Sequence, residues 1–237
     1  MKLYRVTLRA DEREDLEAIT HKGSHQSQKV INALILLNCD EGEFNEHRIR
    51  GDETPRQLIR ETRTPIAASP GQLERHDYEY ERCGVCNVFM AGEPLAGTRM
   101  TKVTERKTKV DWAQFLQDIA ERYQDARKIT LVMDNLNTHS PGALYQTFPP
   151  DQAKALRDRF EFVYTPKHGS WLNVAEIELN VMISQCLERR IDSMETLRSE
   201  VAAWQARRDQ IHAKVNWQFT TENARVKLKR LYPTFDA

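Results

Sequence analysis

The chain has 237 residues, with 35 Lys plus Arg balanced by 35 Asp plus Glu. This is enough for one large domain or one domain plus a small appendage, and the charge balance excludes a global positive field that would by itself announce a nucleic-acid partner. The longest apolar run, residues 33–37, is far too short to span a bilayer, and no signal-peptide pattern opens the chain, so the sequence reads as cytoplasmic. Charge is nevertheless uneven: residues 198–237 hold eight Lys or Arg against four acids, whereas residues 1–42 hold six against seven, which puts any phosphate contacts toward the C-terminal end.

Residues 1–42 read as a short extended start and two helices. The first begins in the acidic turn at Asp11; the second opens at Ser24 or Ser27, with Val30, Ala33, Leu34 and Leu37 on one face. Helices this short need a partner to stay folded. Residues 43–51 are polar and aperiodic and read as a junction. Residues 52–71 hold three prolines with Arg56, Arg60 and Arg63, and read as an extended, loop-rich connection. Residues 78–93 and 100–106 follow as antiparallel strand pieces, a hairpin and another strand. Within them Cys83-Gly84-Val85-Cys86 has knuckle spacing, but no second ligand pair of matching spacing occurs, so a turn between strands is expected rather than zinc.

Residues 110–123 carry Trp112, Phe115, Leu116 and Ile119 at helical spacing. Residues 128–134 then form a short β-branched apolar run that stops at Asp134, the pattern of a buried parallel strand with a carboxylate at its carboxyl end. Short helices are expected after Pro141 and over 151–159, a strand over 160–166, and long helices over 171–190, 194–208 and 221–231. The whole is an α/β chain, a mixed sheet with flanking helices preceded by a short helical piece.

The helix after residue 170 carries the second candidate acid. At about 100° per residue from Leu172, the residues Ala175, Leu179, Ile183, Cys186 and Leu187 form one apolar stripe, Glu176 falls inside it and Glu178 outside. A carboxylate on a core-facing stripe calls for a compensating cation or metal ion. Asp52 is a third candidate. Three carboxylates at a sheet edge suit Mg2+, a hard cation that activates water or a 3′-hydroxyl for attack on phosphate.

The strings LVMDNLNTHSPGALYQTF, YTPKHGSWLNVAEIE, DETPRQLIRETRTP and FTTENARVKLKRLYP resemble, in order, the bacterial insertion-sequence branch of the mariner-type DDE transposases, over residues 52–233. The resemblance implies an RNase H-like catalytic domain over 52–237 that cuts and joins DNA ends, with Asp52, Asp134 and Glu176 as ligands of Mg2+ (or Mn2+). It implies double-stranded transposon ends as substrate and a homodimer, or pairing with a full-length transposase. Residues 1–42 would then be the beginning of a helix-turn-helix DNA-binding region. Residues 46–51 hold one Ile where a central strand is rich in Val, Ile and Leu. The sequence therefore expects an internally deleted transposase whose first acid lacks its strand; the alternative is an inactive chain serving as an interaction or inhibitory module. Candidate DNA contacts are Asn135, His139, Lys167, His168, Arg225, Lys227, Lys229 and Arg230, each weighed against loop capping or a solvated face.

Overall fold

The structure is a computed structural model that describes residues 10–21, 48–94, 96–134, 136–165 and 174–215. The second N-terminal helix and the helix over 221–231 fall outside these residues. The chain divides into two compact units, residues 1–48 with 216–237 and residues 49–215. Of the first, the described part is helix α1 (Ala10–His21), which starts where the acidic turn predicts and carries an Arg13–Glu17 ion pair one turn apart, 2.8 Å.

The second unit is built on a five-stranded sheet. Its strands are β1 (Arg48–Glu61), β2 (Tyr80–Glu93), β3 (Thr98–Thr104), β4 (Ile129–Met133) and β5 (Phe160–Tyr164), in the spatial order β3-β2-β1-β4-β5. β1, β2 and β3 are antiparallel neighbours, while β4 and β5 run parallel, joined by α3 (Gly142–Thr147) and α4 (Pro150–Arg159). α2 (Lys109–Arg122) lies between β3 and β4; α5 (Val174–Met182) continues into a π turn over Ile183–Leu187, and α6 (Met194–Gln210) follows.

Each face of the sheet buries its own core. On one, Trp112, Phe115, Leu116 and Ile119 of α2 pack with Ile49, Phe89, Leu131 and Met133; on the other, Leu179, Met182, Leu197, Val201 and Trp204 of α5 and α6 pack with Leu58, Val88 and Met90. The α2 stripe is the one expected from its spacing, and the helix is closed at its start by a capping box between Thr108 and Asp111.

β1 corrects the expected junction and loop-rich connection. Asp52 stands in a fourteen-residue strand, beginning four residues before it, at the centre of the sheet. Ile49, Gly51 and Glu53 alternate onto the α2 face: a Cβ at Gly51 would meet Leu131 Cδ1 at 3.3 Å and Trp112 at 3.8 Å. Asp52 and Leu58 fall on the opposite, α5 face. The distal half of β1 is held by polar ties, with the Ile59 N–H donating to Ile191 O (2.7 Å), Arg56 to Leu187 O, and Arg190 pairing with Glu61 at 2.5 Å.

The Cys83–Cys86 stretch is likewise no turn between strands. Both residues lie within β2, where Leu58 pairs with Gly84 and Ile59 with Arg82, so Cys83 is the extra residue of a β-bulge. Gly84 supplies the φ of 119° that the bulge requires. Cys86 is buried in the second core, and all three described cysteines are free thiols.

Candidate active site

Asp134 follows β4 directly, and the parallel ladder closes just before it, where the Thr165 N–H donates to Met133 O at 2.8 Å. The chain then folds back in a turn closed by the His139 N–H on Leu136 O (3.0 Å), which returns His139 to Asp134. Its Nδ1 lies 2.6 Å from Asp134 Oδ1 as an ion pair and 3.1 Å from the Asp134 main-chain oxygen, and its Nε2 lies 2.6 Å from Glu53 Oε2. The other Glu53 oxygen meets Lys107 Nζ at 2.7 Å. The imidazole is closed in by the Trp112 ring, 4.3 Å between centroids, and the Tyr164 hydroxyl donates to His139 O at 2.8 Å.

These charges shift one another. Burial disfavours a charged imidazole, but hydrogen bonds to Asp134 and Glu53 and the charges of both outweigh it and raise the His139 pKa to about 9. Burial likewise pushes Glu53 up, and the His139 and Lys107 contacts overcome it, so its carboxyl sits below the ordinary range. At neutral pH both imidazole nitrogens carry protons: Nε2 donates to the Glu53 carboxylate and Nδ1 to the Asp134 main-chain oxygen, beside its ion pair with Oδ1.

Asp52 has the opposite fate. It is 8 % exposed and accepts the Glu53 N–H on Oδ1 at 2.8 Å. Burial, opposed only in part by that bond, and then the negative charges of Asp134, Glu53 and Glu176 push its pKa up to about 7. Thus Asp52 on β1, Asp134 after β4 and Glu176 in the first turn of α5 come from three separate elements into one electrostatic neighbourhood. Among the described residues no three His, Cys, Asp or Glu side chains close tightly enough around one point to hold an ion, so the three carboxylates are neighbours rather than a closed cage.

The helical-wheel reading of α5 needs correction. Glu178, placed outside the apolar stripe, is buried, and Glu176 is only half-buried. The core stripe runs through Ala175, Glu178, Leu179 and Met182, because β3 and α6 cover the flank that the wheel left to solvent. Glu178 is compensated by protein cations, Arg99 Nε at 3.2 Å and Arg208 at 2.9 Å, both of which also face the Trp204 ring. Burial thus singles out Glu178, while proximity to Asp52 singles out Glu176.

Of the other candidate contacts, His139 is 1 % exposed with both nitrogens engaged inside the protein. Asn135, Lys167, His168, Arg225, Lys227, Lys229 and Arg230 lie outside the described residues. The sequence reading passed over Glu53; its one available signal was a second acid in direct sequence with Asp52, which on a strand must face the other side of the sheet.

The geometry thus brings an acid on the central strand, an acid after β4 and an acid on α5 together on one mixed five-stranded sheet. The chain belongs to the DDE superfamily endonuclease family, whose model matches residues 47–198. In fold it is similar to Mos1 transposase. The Mos1 strand transfer complex aligns over 100 % of this chain and 67 % of that one with 15 % identity and a TM-score of 0.59. A pre-cleavage Mos1 transpososome aligns over 100 % and 68 % with 14 % identity and a TM-score of 0.57. The Mos1 mariner paired end complex with Mn aligns over 90 % and 61 % with 16 % identity and a TM-score of 0.51. The chain therefore spans about two thirds of the length of these solved relatives. No curated protein sequence matches it. Among the described residues no helix is long and apolar enough to cross a membrane.

Proposed function

We propose that the chain is the transposase of a bacterial insertion sequence, cleaving phosphodiester bonds at the ends of its element and joining them to target DNA, with Asp52, Asp134 and Glu176 as metal ligands. The observation that carries this reading is the convergence of Asp52 on the central strand β1, Asp134 just after the adjacent β4 and Glu176 on α5, near enough that the charges of the latter two add to burial in raising Asp52 to about 7. Their donor set fits Mg2+ or Mn2+: carboxylate oxygens alone, crowded enough that a divalent cation relieves their repulsion. When bound, such ions supply activation of water or a 3′-hydroxyl and stabilisation of the leaving oxygen. The chain's part is to hold Asp52 and Asp134 on adjacent strands and to bring Glu176 against them from the helix.

Around this centre, Asn135, next to Asp134 in sequence, and Lys167 and His168, just before the helix that carries Glu176, are assigned to the DNA backbone, as are Arg225, Lys227, Lys229 and Arg230 in the basic C-terminal stretch. Residues 1–42 are assigned to a shortened helix-turn-helix DNA-binding region. Bringing two ends together requires two active sites, so the working form is a homodimer or a pair with a full-length transposase. The test is incubation of the purified protein and Mg2+ or Mn2+ with DNA carrying the terminal inverted repeats of its own element. Nicked or joined products are expected from the wild type and none from Asp134→Ala; wild-type protein that leaves the DNA intact with either metal refutes the activity.

A further inference from the structure

We propose that Glu53 and His139 are positioning residues for Asp134, a relay that aims its carboxylate at the cation and acts on the metal through that one ligand. This rests on the reading of Asp134 as a metal ligand. The Glu53 and His139 side chains are both 0 % exposed in their pairing, whereas Asp134 keeps 26 % of its side chain open. Pairing buried charges is a poor source of stability; apolar residues of the same size do as well or better in such places. What the pair does supply is direction. The imidazole is fixed at both ends by 2.6 Å contacts, packed at a tilt against the Trp112 ring and tied through its main chain to the Tyr164 hydroxyl, so it has one orientation. That orientation holds the imidazolium as an ion pair against Oδ1 of Asp134, an atom with almost no exposed surface and no hydrogen bond of its own, and leaves Oδ2 as the oxygen to offer a cation.

Strand geometry explains why the support comes from Glu53. Successive β1 residues face opposite sides of the sheet. Asp52 lies opposite Met90, in the core on the α5 side, and Glu53 opposite Phe89, in the core on the α2 side. Two adjacent residues of one strand thus provide the first carboxylate directly and orient the second through His139. Lys107, at 2.7 Å on the free oxygen of Glu53, keeps that carboxylate turned toward the imidazole.

The test is Mn2+ affinity, measured by calorimetry or by electron paramagnetic resonance on the full chain without DNA, for wild type, Asp134→Ala, Glu53→Gln, His139→Gln and the Glu53→Gln/His139→Gln double variant. Supporting groups of a ligand are worth roughly tenfold to a hundredfold in metal affinity. Each single variant is expected to bind Mn2+ about tenfold or more weakly. The double variant is expected to be no weaker than the worse single one, because both act along one path. Glu53→Gln is isosteric, so thermal denaturation of the metal-free proteins accompanies each titration to establish that they are folded. Single variants that bind as tightly as wild type, or losses that multiply in the double variant, overturn the relay. Wild-type protein whose Mn2+ binding survives Asp134→Ala overturns the assignment of the ligand and the relay together, whereas Asp134-dependent binding with unaffected Glu53 and His139 variants overturns the relay alone.

Discussion

Replacing Asp52 by Asn removes a charge that the folded protein tolerates at a cost. The Asp52 carboxyl moves from its ordinary 3.8 to about 7 on folding. A group whose folded value is raised holds its proton in the native state after the unfolded chain has lost it; stability is highest below about 4, falls as pH rises toward 7, and is flat above. A tenfold change in proton affinity is worth about 1.4 kcal/mol, so the gap amounts to about 4 kcal/mol at pH 8. Asp52 is 8 % exposed, so solvent screens little of this. Asn keeps an oxygen for the Glu53 N–H and carries no charge. Asp52→Asn is therefore expected to stabilise the metal-free protein at pH 8 by about 4 kcal/mol, a rise in Tm on the order of 10 °C, with the difference vanishing toward pH 4. Saturating Mn2+ should narrow the gap by stabilising wild type only, while DNA cleavage by the variant is lost. Urea titrations at pH 4, 6 and 8 with and without Mn2+ read all of this. A variant no more stable than wild type at pH 8, or one whose advantage is the same at pH 4, would refute the reasoning.

Glu178→Ala leaves Arg99, 3 % exposed, and Arg208 short of a buried partner, and should cost about 3 to 5 kcal/mol in urea denaturation; a loss below about 1 kcal/mol would mean that Asp209, 2.9 Å from Arg99, compensates alone. Glu176→Gln should do the reverse, abolishing cleavage in a gel assay while leaving the metal-free protein at least as stable as wild type, since it removes one of the charges that repel Asp52. Gly97→Ala forces a side chain onto a φ of 72° with its Cβ 2.5 Å from His212 O, and should lower stability by about 1 to 3 kcal/mol in the same denaturation experiment, leaving Mn2+ affinity unchanged.

What the sequence made legible was local. The run ending in Asp134 and the Trp112, Phe115, Leu116 and Ile119 stripe name their own partners by period, and β4 and α2 are where they predict. The wheel of α5 failed at Glu178 because the compensating guanidiniums come from Arg99 and Arg208, distant in the chain, and nothing near residue 178 announces them. His139 was legible as a polar residue after Asp134 and illegible as a buried one, since its second partner, Glu53, is 86 positions away.

β1 was the larger miss, and its cause bears on the site. Between Ile49 and Leu58 the buried positions of this central strand are Gly51, Asp52 and Glu53, where aliphatic side chains are the rule. The apolar filling comes from elsewhere: Leu131 and Trp112 occupy the space over Gly51, and the Glu53 charge is taken up by His139 and Lys107. At Asp52 burial raises the pKa to about 7, and the charges of Asp134, Glu53 and Glu176 add to it. On the proposed reading, a central strand poor in Val and Ile at this point would mark the site rather than its loss: its buried places would go to a metal-binding carboxylate and to the carboxylate that orients its neighbour.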